Sequence, residues 1–197
     1  MPFGKEILIM LAVLVTAGVW RVAIHEFGHK SSILTSEWQR YSPGQSHLSL
    51  LLPGEPQLTP PESPESIPNI KEASRYRYSL EAFSAEVSHV LYREGTSADI
   101  WKAADGTASA LSQSPGVTEY RNTVTAIKRS GRAGVFISGS FKRDGNKMQI
   151  EAVLLGEGSK LWQVIVTHPA SDRNAERASR KVLGSIAIDY KGVEPMP

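Results

Sequence analysis

From residue 38 onward, apolar positions recur with two periods, and the switching between them predicts the elements. Residues 75–80 (Arg-Tyr-Arg-Tyr-Ser-Leu) and 85–92 alternate polar and apolar, the pattern of a half-buried strand. Residues 38–41 and 47–52 predict a hairpin across Ser42-Pro43-Gly44-Gln45. Residues 118–128 alternate less regularly, with Val124 and Ile127 as apolar points. Residues 134–141 and 147–154 flank Arg143-Asp144-Gly145-Asn146, whose Asp-Gly pair signals a tight hairpin turn. Residues 161–166 predict another strand after the turn Gly156-Glu157-Gly158-Ser159. Together the strands read as a consecutive antiparallel meander.

Two segments follow the helical period instead. Residues 97–113 place Ile100, Trp101, Ala104, Ala108 and Leu111 on one face, with Ser97 as the cap and Ser114-Pro115-Gly116 as the stop. Residues 172–183 turn Ala175, Ala178, Val182 and Leu183 inward, with Asp172 or Asn174 as cap and Gly184 as the end. Residues 186–188 predict a short last strand. Trp38, Trp101 and Trp162 read as core anchors. Residues 53–68 hold six prolines and read as an irregular loop, because proline removes backbone donors. The expected fold class is α/β (α+β): an antiparallel β-sheet sandwiched by helices, preceded by one N-terminal transmembrane helix or signal segment.

That N-terminal segment is the one long apolar run. Lys5 precedes residues 7–15, and the apolar character continues through Trp20 to Ile24, interrupted in its second half by Arg21. Residues 7–24 are marginally long enough to cross a bilayer as a helix. The favoured reading is a signal anchor, with Trp20 and Arg21 at the interface. The alternative is a cleaved signal peptide, with Val15-Thr16-Ala17 as a loose cleavage site. Either reading exports the rest of the chain, to an inner-membrane-anchored position facing the periplasm or exterior, or free into the periplasm. The expected organisation is residues 1–24 as anchor or signal peptide, 25–37 as juxtamembrane linker, 38–190 as the domain and 191–197 as a tail.

Composition narrows the function classes. The chain of 197 residues has no Cys, which excludes a disulfide framework and thiol chemistry. Residues 1–30 carry three of the 22 basic and two of the 20 acidic side chains, so the remainder is close to neutral. A near-neutral domain argues against a nucleic-acid binder. Arg173, Arg177, Arg180 and Lys181 cluster at helical spacing and read as a solvated helix face rather than an anion site.

The sharpest chemical pattern is His25-Glu26-Phe27-Gly28-His29. Two His four apart share one helix face and can ligate one zinc ion, while the Glu between them serves as general base. Together with Val22-Ala23-Ile24, the segment resembles the first motif of the membrane-embedded site-2 proteases. In that family an Asp-Gly pair on a later membrane helix completes the site. Here Asp105-Gly106 and Asp144-Gly145 lie in polar stretches, and one apolar segment stands where that family has several. His25, Glu26 and His29 are therefore read mainly as interfacial residues closing the anchor, with a zinc-dependent peptidase as the alternative. His47 and His89 fall on predicted strands, and His168 lies near Asp172, but no G-x-S-x-G nucleophile elbow is present. Residues 156–159 lack the Lys of a phosphate loop. No catalytic, cofactor-binding or metal residue is assigned, and no cofactor is expected.

A wider resemblance covers residues 38–190. An aromatic strand, Leu52-Pro53-Gly54-Glu55-Pro56, Gly131-Arg132-Ala133-Gly134, Leu161-Trp162-Gln163-Val164 and a closing helix into Val182-Leu183-Gly184-Ser185-Ile186 resemble the exported bacterial relatives of the PsbP/Mog1 α/β/α sandwich. The resemblance implies a non-catalytic accessory or binding domain that takes a protein partner or small ligand, with no binding residue carried over. A carrier of a small apolar ligand is a further alternative.

Overall fold

The computed structural model describes residues 32–59 and 69–189. A 3₁₀ turn, Ser32–Thr35, leads into β1 (Gln39–Tyr41), β2 (Leu48–Leu52) and β3 (Gln57–Thr59). Then come β4 (Ile70–Leu80), β5 (Phe83–Tyr92), α1 (Ile100–Ser112), β6 (Val117–Arg129), β7 (Arg132–Arg143), β8 (Asn146–Glu157) and β9 (Lys160–Pro169). Helix α2 (Arg173–Gly184) and β10 (Ala187–Ile188) close the described part.

Seven strands pair antiparallel in the order β3-β4-β5-β9-β8-β7-β6. The meander expected from the sequence is thus split. Strands β6 to β9 form one, but β5 pairs with β9, because α1 carries the chain from β5 across one face to the far edge. A smaller sheet, β1-β2-β10, lies on the opposite face beside α2.

Alternation along the central strands builds two cores. In β9, Trp162, Val164 and Val166 face α2 and the small sheet, while Leu161 and Ile165 face α1. The α2 side also collects Leu48, Leu50, Leu52, Phe83, Val87, Val182 and Leu183. The α1 side collects Ala103, Ala104, Leu111, Ile137, Phe141, Ile150 and Leu154. Each fully buried Leu, Ile, Val or Phe contributes about 1.5–3 kcal/mol relative to exposure, so a sheet buried on both faces is the main stabilising feature.

The ends of the elements follow local chemistry. Asp172 caps α2, accepting from the backbone N–H groups of Asn174 and Ala175 at 2.9 and 3.1 Å. For α1 the cap is Asp99, which accepts from Lys102 N at 3.0 Å, and not Ser97. An Asp oxygen suits the helix N-terminus because it meets both the orphan N–H groups and the positive end of the dipole. Asp144 and Gly145 both take positive φ, 48° and 82°, as a two-residue hairpin turn requires.

Three further expectations are corrected. Trp101 is not a core anchor but is 49% exposed. The face of α1 that meets the sheet is Ala103, Ala104, Thr107, Ala110 and Leu111. At 100° per residue Trp101 lies about 60° beyond Ala104, away from this small-residue stripe, which lets the helix approach the sheet closely. His47 does not lie on a strand. It precedes β2 in the hairpin loop, with φ of +56°. The Pro-rich stretch is not wholly irregular, since Gln57–Thr59 pairs with Arg75–Arg77 at the sheet edge. An edge strand tolerates flanking prolines because only one side of it is hydrogen-bonded.

Gly134 marks a close approach of strands. A Cβ there would meet the Leu154 carbonyl oxygen and Leu155 Cδ2, each at 2.5 Å. Gly134→Ala should therefore destabilise the domain by about 1–3 kcal/mol, read as a lower denaturant midpoint at unchanged slope.

Candidate binding site

The α1 face of the sheet carries polar side chains at the places where β4, β5 and β9 run side by side. Arg75 and Arg77 on β4 stand opposite Ser88 and Glu86 on β5. Arg77 Nη2 donates to Glu86 Oε2 at 3.0 Å, and Arg75 Nε lies 3.4 Å from Oε1. Arg75 and Glu86 are buried, and Arg77 is nearly so. Two guanidinium groups thus share one carboxylate inside the domain.

The cluster continues as a hydrogen-bonded chain to the helix. Ser88 Oγ donates to Gln163 Oε1 at 3.3 Å, and Gln163 Nε2 donates to Thr107 Oγ1 at 2.7 Å. Thr107 Oγ1 in turn donates to the Ala103 carbonyl at 2.8 Å. This chain ties β5, β9 and α1 together and satisfies groups that burial would otherwise penalise. Ser84 and Thr167 extend the polar strip, 3.4 Å apart.

Burial sets the electrostatics. It pushes the Glu86 carboxyl up from its ordinary value, and the charges of Arg75 and Arg77 with the Arg77 hydrogen bond offset this only in part. Glu86 Oε1 and Arg77 Nε are buried without a hydrogen-bond partner, which is why the pairing compensates desolvation incompletely. Arg143, whose guanidinium lies 5.6 Å from the Phe141 ring centroid, is brought down to about 10 by burial; Asp144 opposes this and Arg77 adds to it. A guanidinium at that value remains charged at neutral pH.

The opposite face has its own polar corner. Trp162 is buried and donates from Nε1 to the Ser46 carbonyl at 2.6 Å, pinning the β1–β2 loop to the large sheet. The His89 ring lies 5.8 Å from the Trp162 ring, and the Arg132 guanidinium lies over the same ring at 5.8 Å. Arg132 also pairs with Glu157 at 3.0 Å. Burial lowers the His89 pKa; Glu72 opposes the shift, and Lys160 and His47 add to it.

The other sequence candidates separate. His168 is buried on β9, with Nδ1 2.9 Å from the Pro169 carbonyl, while Asp172 is engaged as the α2 cap. Arg180 pairs with Glu176, and the Lys181 ammonium lies 4.1 Å from the Trp38 ring centroid. Arg173 and Arg177 are exposed, so the basic cluster is a solvated helix face. Of residues 156–159, Gly156 and Glu157 end β8 and Gly158-Ser159 form the β8–β9 hairpin turn. His25, Glu26 and His29 lie outside the described residues, as does the apolar run 7–24. Among the described residues no group of three or more His, Asp or Glu is placed to hold a metal, and no helix is long and apolar enough to cross a membrane. The Arg75–Glu86–Arg77 cluster was missed by sequence reading. Its only sequence signal was Arg at alternate positions in 75–80, which also fits a solvated strand face.

Among solved structures, the chain is similar to cyanobacterial PsbP (CyanoP) from Synechocystis sp. PCC 6803. The TM-score is 0.56 at 11% identity, over 84% of this chain and 96% of that one. The fold is PsbP-like. A protein from Bacteroides thetaiotaomicron matches at TM-score 0.48 and 12% identity, over 81% of this chain and 51% of that one. LpqN, involved in cell envelope biogenesis of Mycobacterium tuberculosis, matches at 0.43 and 15%, over 79% and 93%. These two looser likenesses add nothing to the fold assignment. No family model matches the chain, and no curated protein matches it.

Two outcomes follow from the geometry. Arg77→Met removes the hydrogen bond to Glu86 and should cost about 3 kcal/mol, the scale for breaking a buried pair, measured by chemical denaturation. For His89, the folded pKa is below its ordinary 6.5, so the unfolded chain takes up the proton first. Stability should be intact above about pH 6.5 and fall as the pH drops below it. His89→Gln should flatten that fall, in denaturation midpoints taken from pH 7.5 to pH 5.

Proposed function

We propose that this chain is an exported, membrane-anchored accessory domain that binds a protein partner and performs no chemistry of its own. The observation that carries the reading is the engagement of its buried charged groups. Glu86 is clamped between Arg75 and Arg77 and is not free as a base or nucleophile. The polar chain from Ser88 to Thr107 likewise joins sheet to helix and closes on a backbone carbonyl. Such an interior makes a stiff scaffold, and binding then falls to the surface.

Two more features support the reading. The apolar run 7–24 has the length and flanks of an anchor, which would hold the domain at an exported membrane face. Trp101 stands exposed on α1, and aromatic side chains of this kind are the common anchors of protein interfaces.

In-cell crosslinking of the full-length chain tests this. The expected result is a discrete adduct with another protein, recovered from the membrane fraction. Recovery of the chain solely as uncrosslinked protein, or an activity that turns over a substrate and is lost in Glu86→Gln, would overturn it.

A further inference from the structure

The sheet treats its edges unequally. Strand β3 ends one side of the large sheet with three residues between Pro56 and Pro60. In the small sheet, β1 has three residues and β10 two. Short strands and flanking prolines blunt an edge against further pairing. Strand β6 is different. It is the last strand of the order among the described residues and runs for 13 residues without proline.

Within β6 the pairing irregularity lies between Thr118 and Arg121, where Glu119 takes a φ of +52°. From Arg121 to Arg129 the register with β7 is unbroken. These nine positions read Arg-Asn-Thr-Val-Thr-Ala-Ile-Lys-Arg. The centre is uncharged and, apart from Asn122 and Ala126, β-branched, as an added strand would favour. Val124 and Ile127 pack inward against the two opposite cores, so the strand is held from both faces, while no strand lies beyond its outer edge among the described residues.

We propose that Arg121–Arg129 is a docking edge on which an acidic extended segment of a partner protein adds as a further antiparallel or parallel strand. Main-chain hydrogen bonds to the edge supply the affinity, and cross-strand charge supplies the choice of partner. Arg121 stands at one end, Lys128 and Arg129 at the other, and no acidic residue lies between. Glu119, the nearest acid in the strand, is paired with Lys142 and also feels the charge of Arg121. Arg129 donates to the Leu183 carbonyl, which leaves Arg121 and Lys128 as the exposed cations. They stand seven positions apart, about 23 Å along a strand, so the fitting segment carries an acid near each end.

Charge also disfavours a second copy of this chain. Antiparallel self-pairing centred on Thr125 sets Arg121 opposite Arg129 on both sides of the pair, and like charges directly opposite are destabilising. The inference rests on the binding reading above and names the class of partner. Failure of crosslinking in cells would remove that reading, whereas the following experiment judges the edge alone.

The probe is a synthetic peptide of alternating Thr and Val with Asp near both ends, set against its counterpart with Lys at those positions. Binding to the full-length chain in detergent is read by anisotropy and mapped by hydrogen exchange. The Asp peptide should bind at least tenfold more tightly than the Lys peptide and slow exchange within 121–129. Arg121→Glu with Lys128→Glu, both at exposed positions, should reverse that preference. No protection at 121–129, equal binding of both peptides, or protection arising from self-association without peptide would each overturn the proposal.

Discussion

Strand β9 is buried at every position from Leu161 to Pro169, and the rest of the domain is arranged around that constraint. A strand buried on both faces needs a cover on each and a neighbour on each side. Helix α1 covers one face, α2 with the small sheet covers the other, and β5 and β8 flank it. The topology follows. For β5 to lie beside β9, the chain must leave β5, cross the sheet through α1 and return as a four-stranded meander from the far edge. Trp162 adds a lock, since its indole N–H reaches the Ser46 carbonyl in the β1–β2 loop.

The polar residues of the interior follow from the same burial. Gln163 has to face α1 because its neighbours on β9 alternate, so α1 supplies Thr107 as its acceptor. Glu86 faces the same side, and Arg75 and Arg77 stand next to it on β4. The result stiffens the sheet while leaving its long edge, β6, without a cover among the described residues. A stiff sheet with a long edge strand is suited to binding an extended segment, since little ordering cost falls on the receiving strand.

Much of this was legible in the sequence. The alternation in 75–80 and 85–92 identified β4 and β5, and the Asp144-Gly145 turn signal identified the β7–β8 hairpin, because period and turn chemistry are local. Ala175, Ala178, Val182 and Leu183 identified the inner face of α2 for the same reason. The misreadings have physical causes. Trp101 was assigned inward on hydrophobicity, but the stripe that lets α1 sit close to the sheet is made of Ala and Thr. The strand at 57–59 escaped because prolines flank it, and an edge strand accepts what an inner strand does not. The Arg75–Glu86–Arg77 cluster escaped because charged residues at alternate positions read the same on a solvated face as in a buried pair. The side-by-side placement of β5 and β9 depends on partners 69 to 83 residues apart, which local periodicity does not encode.

The account centres on a two-faced sheet anchored at β9 and open at β6, and native-state hydrogen exchange of the free protein tests that most directly. Amides of 161–168 should be among the slowest to exchange, opening only with global unfolding, while alternate amides of 121–129 exchange orders of magnitude faster. Protection of every amide in 121–129 to the level of β9, or fast exchange within β9 itself, would contradict it.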